Sequence, residues 1–458
     1  MKVFYPFARR VVFVWLLVLT GCAAVSRETV QDQIAQTVAQ RHSSLVEWHA
    51  GSPEEQIVQD KVRRMLSDQL TVEEAVAIAL VNNRQLRAVL TRAEVARADL
   101  VQAGLLENPV FGVSILDGAS GTQIEYSLFV DFLNLFTLSA RKHLAADQLE
   151  RARLEVAQAV LDLAAEVKRN YYALLADRQM LALYAQVLNA TDAAAELARR
   201  QHAAGTLSLR EQALHQAFFA QAALEGARAE TRYASDREKI NRLLGLWGPL
   251  TDWQLPPQLP DPPVGLPADA DLERLAMAQR LDLAARQAQV QVAHTTLHYA
   301  RQTRWLSLFG LGFTVERDVD GNYARGPDLE LGLPLFNRNQ GRIAALEAEL
   351  SAAENQYAQM AIDARAQVRE AEGQMRAAHD ALIHYREAIL PLADLVLGET
   401  LKFYNGMLLD VYEVLDAKRS QIDATRDYIA TWRDFWIAWT DLERAVGTAL
   451  PADAPRTP

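Results

Sequence analysis

The sequence predicts a mainly α-helical protein with a small β part, built as two structural repeats of helix, strand, strand, long helix and helix. Three observations carry that reading. Residues 122–204 contain neither proline nor glycine and consist mostly of Ala, Leu, Glu, Gln and Arg, all good helix formers. Two segments in each half alternate apolar and polar side chains with the period of two of a strand. The halves also match at a nearly fixed offset: adding 201 maps Val167 onto Val368, Tyr184 onto Tyr385, Gly205 onto Gly406, Leu207 onto Leu408 and Leu214 onto Leu415.

The chain begins with a segment that reads as an address. Lys2, Arg9 and Arg10 precede the apolar run Val11–Leu19, which is too short to span a bilayer comfortably. Leu19-Thr20-Gly21-Cys22 follows, and Cys22 is the only cysteine of the chain. This pattern predicts a lipoprotein signal peptide over 1–21, lipidation at Cys22 and an N-terminal lipid-anchored segment over 22–69. A lipid on Cys22 attaches a protein to a membrane without a transmembrane helix, and several acyl chains hold where one is marginal.

The first repeat spans 70–250 and the second 269–449, with 450–458 as a tail. Between the repeats, 251–268 is a stiff linker rich in proline, carrying Pro256-Pro257, Pro260, Pro262-Pro263 and Pro267. In the first repeat Val160, Val167, Leu174, Leu181 and Leu188 recur every seven residues, the stripe of a helix packed as in a coiled coil. That helix is expected from about Thr137 to Ala204. In the second repeat the helical pattern starts near Arg342 and passes Leu390. Pro391 is expected to break or kink it before it resumes through Lys402. Gly205 and Gly406 stand where each long helix should end, as cap glycines.

Strands are expected at about 109–117 and 122–133 in the first repeat, and at about 305–316 and 327–336 in the second. Ile124, Tyr126, Leu128, Val130 and Phe132 alternate with Gln123, Glu125, Ser127, Phe129 and Asp131; Leu329, Leu331, Leu333 and Leu335 alternate with Asp328, Glu330, Gly332 and Pro334. One apolar and one polar face suit a membrane barrel with a wet lumen, and Trp305, Phe132 and Phe336 near strand ends suit its aromatic girdle. A half-buried sheet in water gives the same alternation. Four strands cannot close a barrel, and open edges are not tolerated in lipid. A membrane reading therefore needs several chains, and three would supply twelve strands.

Taken together, the chain resembles the TolC-type outer-membrane efflux ducts, in particular their lipid-anchored branch, from about Leu70 to Gly447. The segments that carry the resemblance are Thr71-Val72-Glu73-Glu74-Ala75-Val76 with Asn82-Asn83, then Glu107-Asn108-Pro109. Tyr404-Asn405-Gly406 with Glu413-Val414-Leu415-Asp416-Ala417 and Leu442-Glu443-Arg444-Ala445-Val446-Gly447 complete them. Tyr404-Asn405-Gly406-Met407-Leu408-Leu409 is similar to a divergent subgroup associated with heavy-metal export. The resemblance implies a homotrimer with a 12-stranded outer-membrane β-barrel continued by a long periplasmic α-helical barrel. It implies a passive exit duct for drugs or metal ions, with a periplasmic membrane-fusion adaptor and an inner-membrane efflux pump as partners. It places Asp410, Glu413 and Asp416 as candidates for a cation ring at the gate, since threefold symmetry turns one inward carboxylate into three. Gly205, Thr206, Leu207, Gly406, Met407 and Leu408 are its candidate adaptor-docking tips. The alternative is a lipid-anchored periplasmic coiled-coil adaptor or scaffold without a pore.

Composition and motifs exclude other classes. A net charge of −11 lacks the basic footprint of a nucleic-acid binder. No P-loop, Rossmann fingerprint or G-x-S-x-G is present, so no catalysis and no cofactor are expected. His294 and His298 stand at i and i+4, a metal-capable spacing, but with neither an HExxH frame nor a nearby cysteine they read as ordinary helix residues, and no resident metal is expected.

Overall fold

The computed structural model describes residues 28–41, 55–119, 121–263, 265–266, 271–305 and 309–450. The signal segment, Cys22 and most of the tail lie outside them. The helices are α1 (Glu28–Ala39), α2 (Glu55–Met65), α3 (Val72–Asn82), α4 (Arg84–Ala103), α5 (Leu133–Ala203) and α6 (Leu209–Leu244). They continue with α7 (Leu272–Gln279), α8 (Leu281–Thr303), α9 (Gln340–His384), α10 (Leu390–Asn405) and α11 (Val411–Val446). The strands are β1 (Val110–Gly118), β2 (Gly121–Asp131), β3 (Phe309–Arg317) and β4 (Tyr323–Leu331). Among the described residues no helix is long and apolar enough to cross a membrane.

The chain divides into two compact units, and each takes residues from both repeats. Of the described residues, the first holds those of Leu90–Leu154 and Ala285–Tyr357 with Glu28–Gln31 at the start of α1. Its centre is a four-stranded antiparallel sheet of order β1-β2-β3-β4. β1 pairs with β2 from Val110↔Phe129 to Gly118↔Gly121, and β3 with β4 from Phe309↔Leu331 to Arg317↔Tyr323. The two hairpins join along β2 and β3, with Leu128 opposite Phe313. Thr295 donates to Asp147 at 2.7 Å, and Arg301 pairs with Glu347 at 2.6 Å.

β4 starts and stops earlier than its alternation suggests. The turn after Arg317 brings Tyr323 directly opposite it, which sets the start of the strand. Pro334 has no N–H to offer the ladder, so Leu333 and Leu335 continue the apolar period beyond the sheet and stand exposed.

The second unit holds Asp32–Val89, Glu155–Ala284 and Ala358–Pro458. Its core takes Val160, Val167 and Leu174 of the heptad stripe, with Ile240, Leu244, Val368, Met375, Phe435, Leu442 and Val446, all 0% exposed. Further along α5 the buried positions are Tyr184 and Val187, and Leu181 and Leu188 are only half-buried. α3 begins with a capping box in which Thr71 and Glu74 satisfy each other's backbone N–H. Asn82 and Asn83 donate their side-chain amides to the carbonyls of Leu244 and Leu243, each at 2.8 Å, which ties α3 to the end of α6. The linker is strapped down through a carbonyl, because its prolines have no donor: both Trp432 Nε1 and Trp436 Nε1 donate to Pro260 O, at 2.9 and 2.8 Å. Trp432 and Trp439 are buried beside it, as a packed helix seam requires.

α5 runs 71 residues, roughly 105 Å at 1.5 Å per residue. Its counterpart is not broken at Pro391. The helix passes through a π turn at Tyr385–Ile389 and continues as α10. A proline cannot donate and crowds the carbonyl four residues back; the wider turn just before it absorbs both problems without ending the helix.

That turn also marks a change in the repeat offset. Upstream, the fully buried pairs Val167/Val368 and Leu174/Met375 are 201 apart. Downstream, the helix N-caps Ser208 and Asp410, the buried pairs Ile240/Leu442 and Leu244/Val446, and the helix-ending Gly245 and Gly447 are all 202 apart. The second repeat has gained one residue, and the π turn lies in the interval where it was gained.

Candidate functional site

The sheet has two chemically distinct faces, and register decides which residues share them. Phe111, Val113, Ile115, Tyr126, Leu128, Leu311, Phe313, Leu329 and Leu331 lie on one face and are all exposed. A soluble domain rarely leaves so large an apolar patch uncovered. Nine residues of β3 run roughly 30 Å along the strand. Tilted near 40°, that is about 23 Å of height, close to the ~25 Å apolar band of outer-membrane barrels.

The opposite face carries Glu125, Asp131, Glu316, Asp328 and Glu330, and no Lys or Arg of the strands shares it. Glu125 stands directly opposite Glu316. Like charges so placed repel, and Gln123 Nε2 relieves part of this by donating to Glu316. Three large apolar side chains share this face: Val110, Leu116 and Phe129, the last with its ring over Gly310 so closely that a Cβ there would meet it at 1.8 Å. Both outer strands, β1 and β4, have one edge without a partner among the described residues.

The helical tips lie in the second unit. At the first, Thr206 N–H bonds Gln201 O and Gly205 N–H bonds His202 O, both at 2.9 Å. This is a Schellman end, and Gly205 supplies the left-handed residue with φ 75°. Ser208 then caps α6 in a capping box with Glu211. His202 Nδ1 and Leu207 O, 2.8 Å apart, close the turn.

The second tip makes the same bonds one residue later. Leu408 N–H bonds Phe403 O at 3.0 Å, and Met407 N–H bonds Tyr404 O at 2.9 Å. Gly406 is therefore not the left-handed cap that sequence matching to Gly205 suggests: its φ is −78°. Met407 takes that place with φ 60° and is 93% exposed, with Leu408 at 71%. The extra residue at the π turn is the reason, since it moves the capping position from offset 201 to 202.

Asp410 is the N-cap of α11 and accepts from Tyr412 N–H at 2.6 Å. A hydrogen bond from Glu413, helped by the backbone N–H groups of Tyr412 and Glu413, holds the Asp410 carboxyl below the usual carboxylate range. Asp410, Glu413 and Asp416 are all exposed, and no Lys or Arg bridges any of them among the described residues. The neighbouring cations are engaged elsewhere: Lys418 bonds Gln421 at 2.6 Å and Arg419 lies over the Phe218 ring at 4.9 Å. Arg210 lies over the Tyr412 ring at 4.6 Å, joining the starts of α6 and α11. The structure thus brings Asp410 and Glu413 together and leaves Asp416 apart. The charged face of the sheet was missed when sites were read from the sequence; its signal was the polar half of the strand alternation itself. His294 and His298 are exposed with stacked rings 6.5 Å apart, and no group of three metal-capable side chains occurs among the described residues.

Residues 75–246 match the family model described as outer membrane efflux protein. The chain is 25% identical over 365 residues to the cobalt-zinc-cadmium resistance protein CzcC of Cupriavidus metallidurans, covering 77% of this chain and 84% of that one. Its fold is similar to that of CusC, with a TM-score of 0.71 at 17% identity over 84% of this chain and 94% of that one. It is similar also to the outer membrane protein VceC of Vibrio cholerae, with a TM-score of 0.70 at 16% identity over 82% and 96% of the two chains.

Proposed function

We propose that this chain, which matches the outer membrane efflux protein model over residues 75–246 and has a fold similar to that of CusC, is an outer membrane efflux protein that conducts cationic cargo as the exit duct of a tripartite efflux system. The exit-duct role and the outer-membrane location with a large periplasmic part are those of the family. The finer assignments are our reading: a homotrimer, an adaptor seated on the tips, an inner-membrane pump, and a lipid anchor at Cys22.

One observation carries the reading. A four-stranded sheet with an uncovered apolar face and two open edges is stable in lipid only when other copies close it. Three chains supply twelve strands, put the apolar face toward lipid, and gather the carboxylate face around a common lumen. Each protomer contributes Glu125, Asp131, Glu316, Asp328 and Glu330, so the lumen attracts cations and repels anions. Asp410 and Glu413, with Asp416 on the next turn, add negative charge after the second tip, where threefold symmetry makes rings that divalent cations bridge. The name of the Cupriavidus relative points the same way, toward divalent transition-metal ions as cargo. Gly205, Thr206 and Leu207 with Gly406, Met407 and Leu408 present small and apolar groups suited to a partner hairpin.

Single-channel recording in planar bilayers tests this. The expected result is discrete conductance steps, a reversal potential showing cation selectivity, and block by divalent cations from one side. Anion selectivity, or silent membranes containing verified inserted trimers, overturns the reading.

A further inference from the structure

At the helix-side end of the sheet, three residues make an arrangement that the duct role does not require. Arg304 and Arg338 both stack on the same indole: their guanidinium carbons lie 4.9 and 5.0 Å from the Trp305 ring centroid. Trp305 is half exposed. Neither guanidinium has a carboxylate partner among the described residues, whereas Arg301, one turn away, is neutralised by Glu347. Arg338 is further held by a bond from its Nε to Pro334 O at 3.2 Å. Two guanidinium groups on one exposed ring, neither neutralised by a carboxylate, concentrate positive charge that an anion would balance. Guanidinium pairs favour phosphate, because their fork geometry matches its oxygens.

The surroundings say which phosphate. Leu333, Leu335 and Phe336 lie in the short segment leading to Arg338 and are 74%, 64% and 92% exposed. They extend the apolar face of β4 past the end of the sheet. Phe132, Phe136 and Phe309 form an aromatic cluster at the same end, with ring centroids 6.3 and 6.0 Å apart. Cations and an indole directly below uncovered apolar side chains are placed at a boundary between headgroup and acyl chain. A free anion would use the guanidinium groups and leave the apolar segment idle; a lipid uses both.

We propose that Arg304, Trp305 and Arg338 form a clamp for the headgroup phosphate of an anionic phospholipid, whose acyl chains lie along Leu333, Leu335 and Phe336. The inference rests on the duct reading, which puts this end of the sheet at the periplasmic leaflet. Arginine is needed for more than its charge: stacking on the indole fixes both forks where a lysine would be a mobile point charge.

The test is native mass spectrometry of the full-chain trimer in detergent, titrated with phosphatidylglycerol and separately with phosphatidylcholine. Three tight phosphatidylglycerol molecules per trimer are expected, bound preferentially over phosphatidylcholine. The double variant Arg304→Gln/Arg338→Gln should lose about thirtyfold in phosphatidylglycerol affinity, from roughly fivefold per cation at a membrane surface. Arg304→Lys/Arg338→Lys, which keeps the charge, should still lose several-fold. Equal binding of the two lipids, a lysine variant that binds like the parent, or displacement of the lipid by millimolar inorganic phosphate overturns the clamp. Heat-modifiable mobility and bilayer insertion, read on the same samples, separate the two ideas. Inserted trimers without lipid preference sink the clamp alone; a parent chain that never inserts sinks the duct reading and the clamp with it.

Discussion

The two helical hairpins α5–α6 and α9–α11 descend from one repeat, yet they solve the same turn differently. The first puts a glycine in the left-handed position and a polar threonine after it. The second puts Met407 there, followed by Leu408, although Gly406 is one residue away. A non-glycine residue in that conformation costs about 1–2 kcal/mol. The first tip is therefore relaxed, and the second holds strain in exchange for two large exposed apolar side chains. Strain of this kind persists where surrounding structure over-determines it, which here is the Schellman bonding of Met407 and Leu408. The difference teaches that the second tip is the more specialised of the two.

Substitutions at the glycines give the widest separation between the tips. Gly205→Val should destabilise the first tip by about 2 kcal/mol, because a β-branched residue is forced to positive φ. Gly406→Val, at an ordinary φ, should cost well under half of that. Hydrogen exchange of the tip amides reads both, and equal costs would remove the asymmetry. Met407→Gly should do the reverse, stabilising the second tip by about 1 kcal/mol while weakening adaptor binding in a pull-down with the partner. A tighter tip with unchanged adaptor binding would leave the strain without a purpose. Caps come next: Ser208→Ala and Asp410→Ala should each cost about 1 kcal/mol. Asp410→Asn should keep the cap but weaken divalent block of conductance, which distinguishes its charge from its capping bond.

An effect that only pH reveals lies in the stem. In the first hairpin the Asp177 carboxyl is pushed up to about 7, by burial first and then by its hydrogen bond with Asp236 and that group's charge. The matching positions of the second hairpin, Ala378 and Ala438, carry no titrating group. A raised acid binds its proton more tightly folded than unfolded, so its contribution is full below about 3.8 and is lost as pH rises through about 7. The first stem should loosen over that window while the second does not, and Asp177→Asn should flatten the first. A pH-independent difference in exchange rates would count against the shared proton.

Much of this architecture was legible because its signals are periodic. The heptad stripe of α5 names the buried face through Val160, Val167 and Leu174 before burial shifts to Tyr184 and Val187, and the alternation in β2 and β3 names the exposed apolar face. The reading slipped where an element depends on a partner. β4 ends at Leu331, short of Pro334, and not where Leu335 ends the alternation. The cap of the second tip depends on one added residue some twenty positions upstream, which a glycine-to-glycine match cannot register. The confrontation of Glu125 with Glu316, and the convergence of Arg304 and Arg338 on Trp305, join residues far apart in the chain; only strand pairing and chain return create them.

The π turn at Tyr385–Ile389 has a consequence for how such a repeat can change length. One residue added to a regular helix rotates everything beyond it by about 100°, which would swing Leu442 and Val446 out of the core. A turn that takes up the extra residue leaves the downstream faces in phase. The insertion is thus spent locally, and what reaches the far end is a shift in numbering rather than a change of orientation. Deleting one residue within 385–389 should therefore return the segment to an ordinary helix while keeping both seams packed; the same deletion placed in α11 would have no slack to draw on.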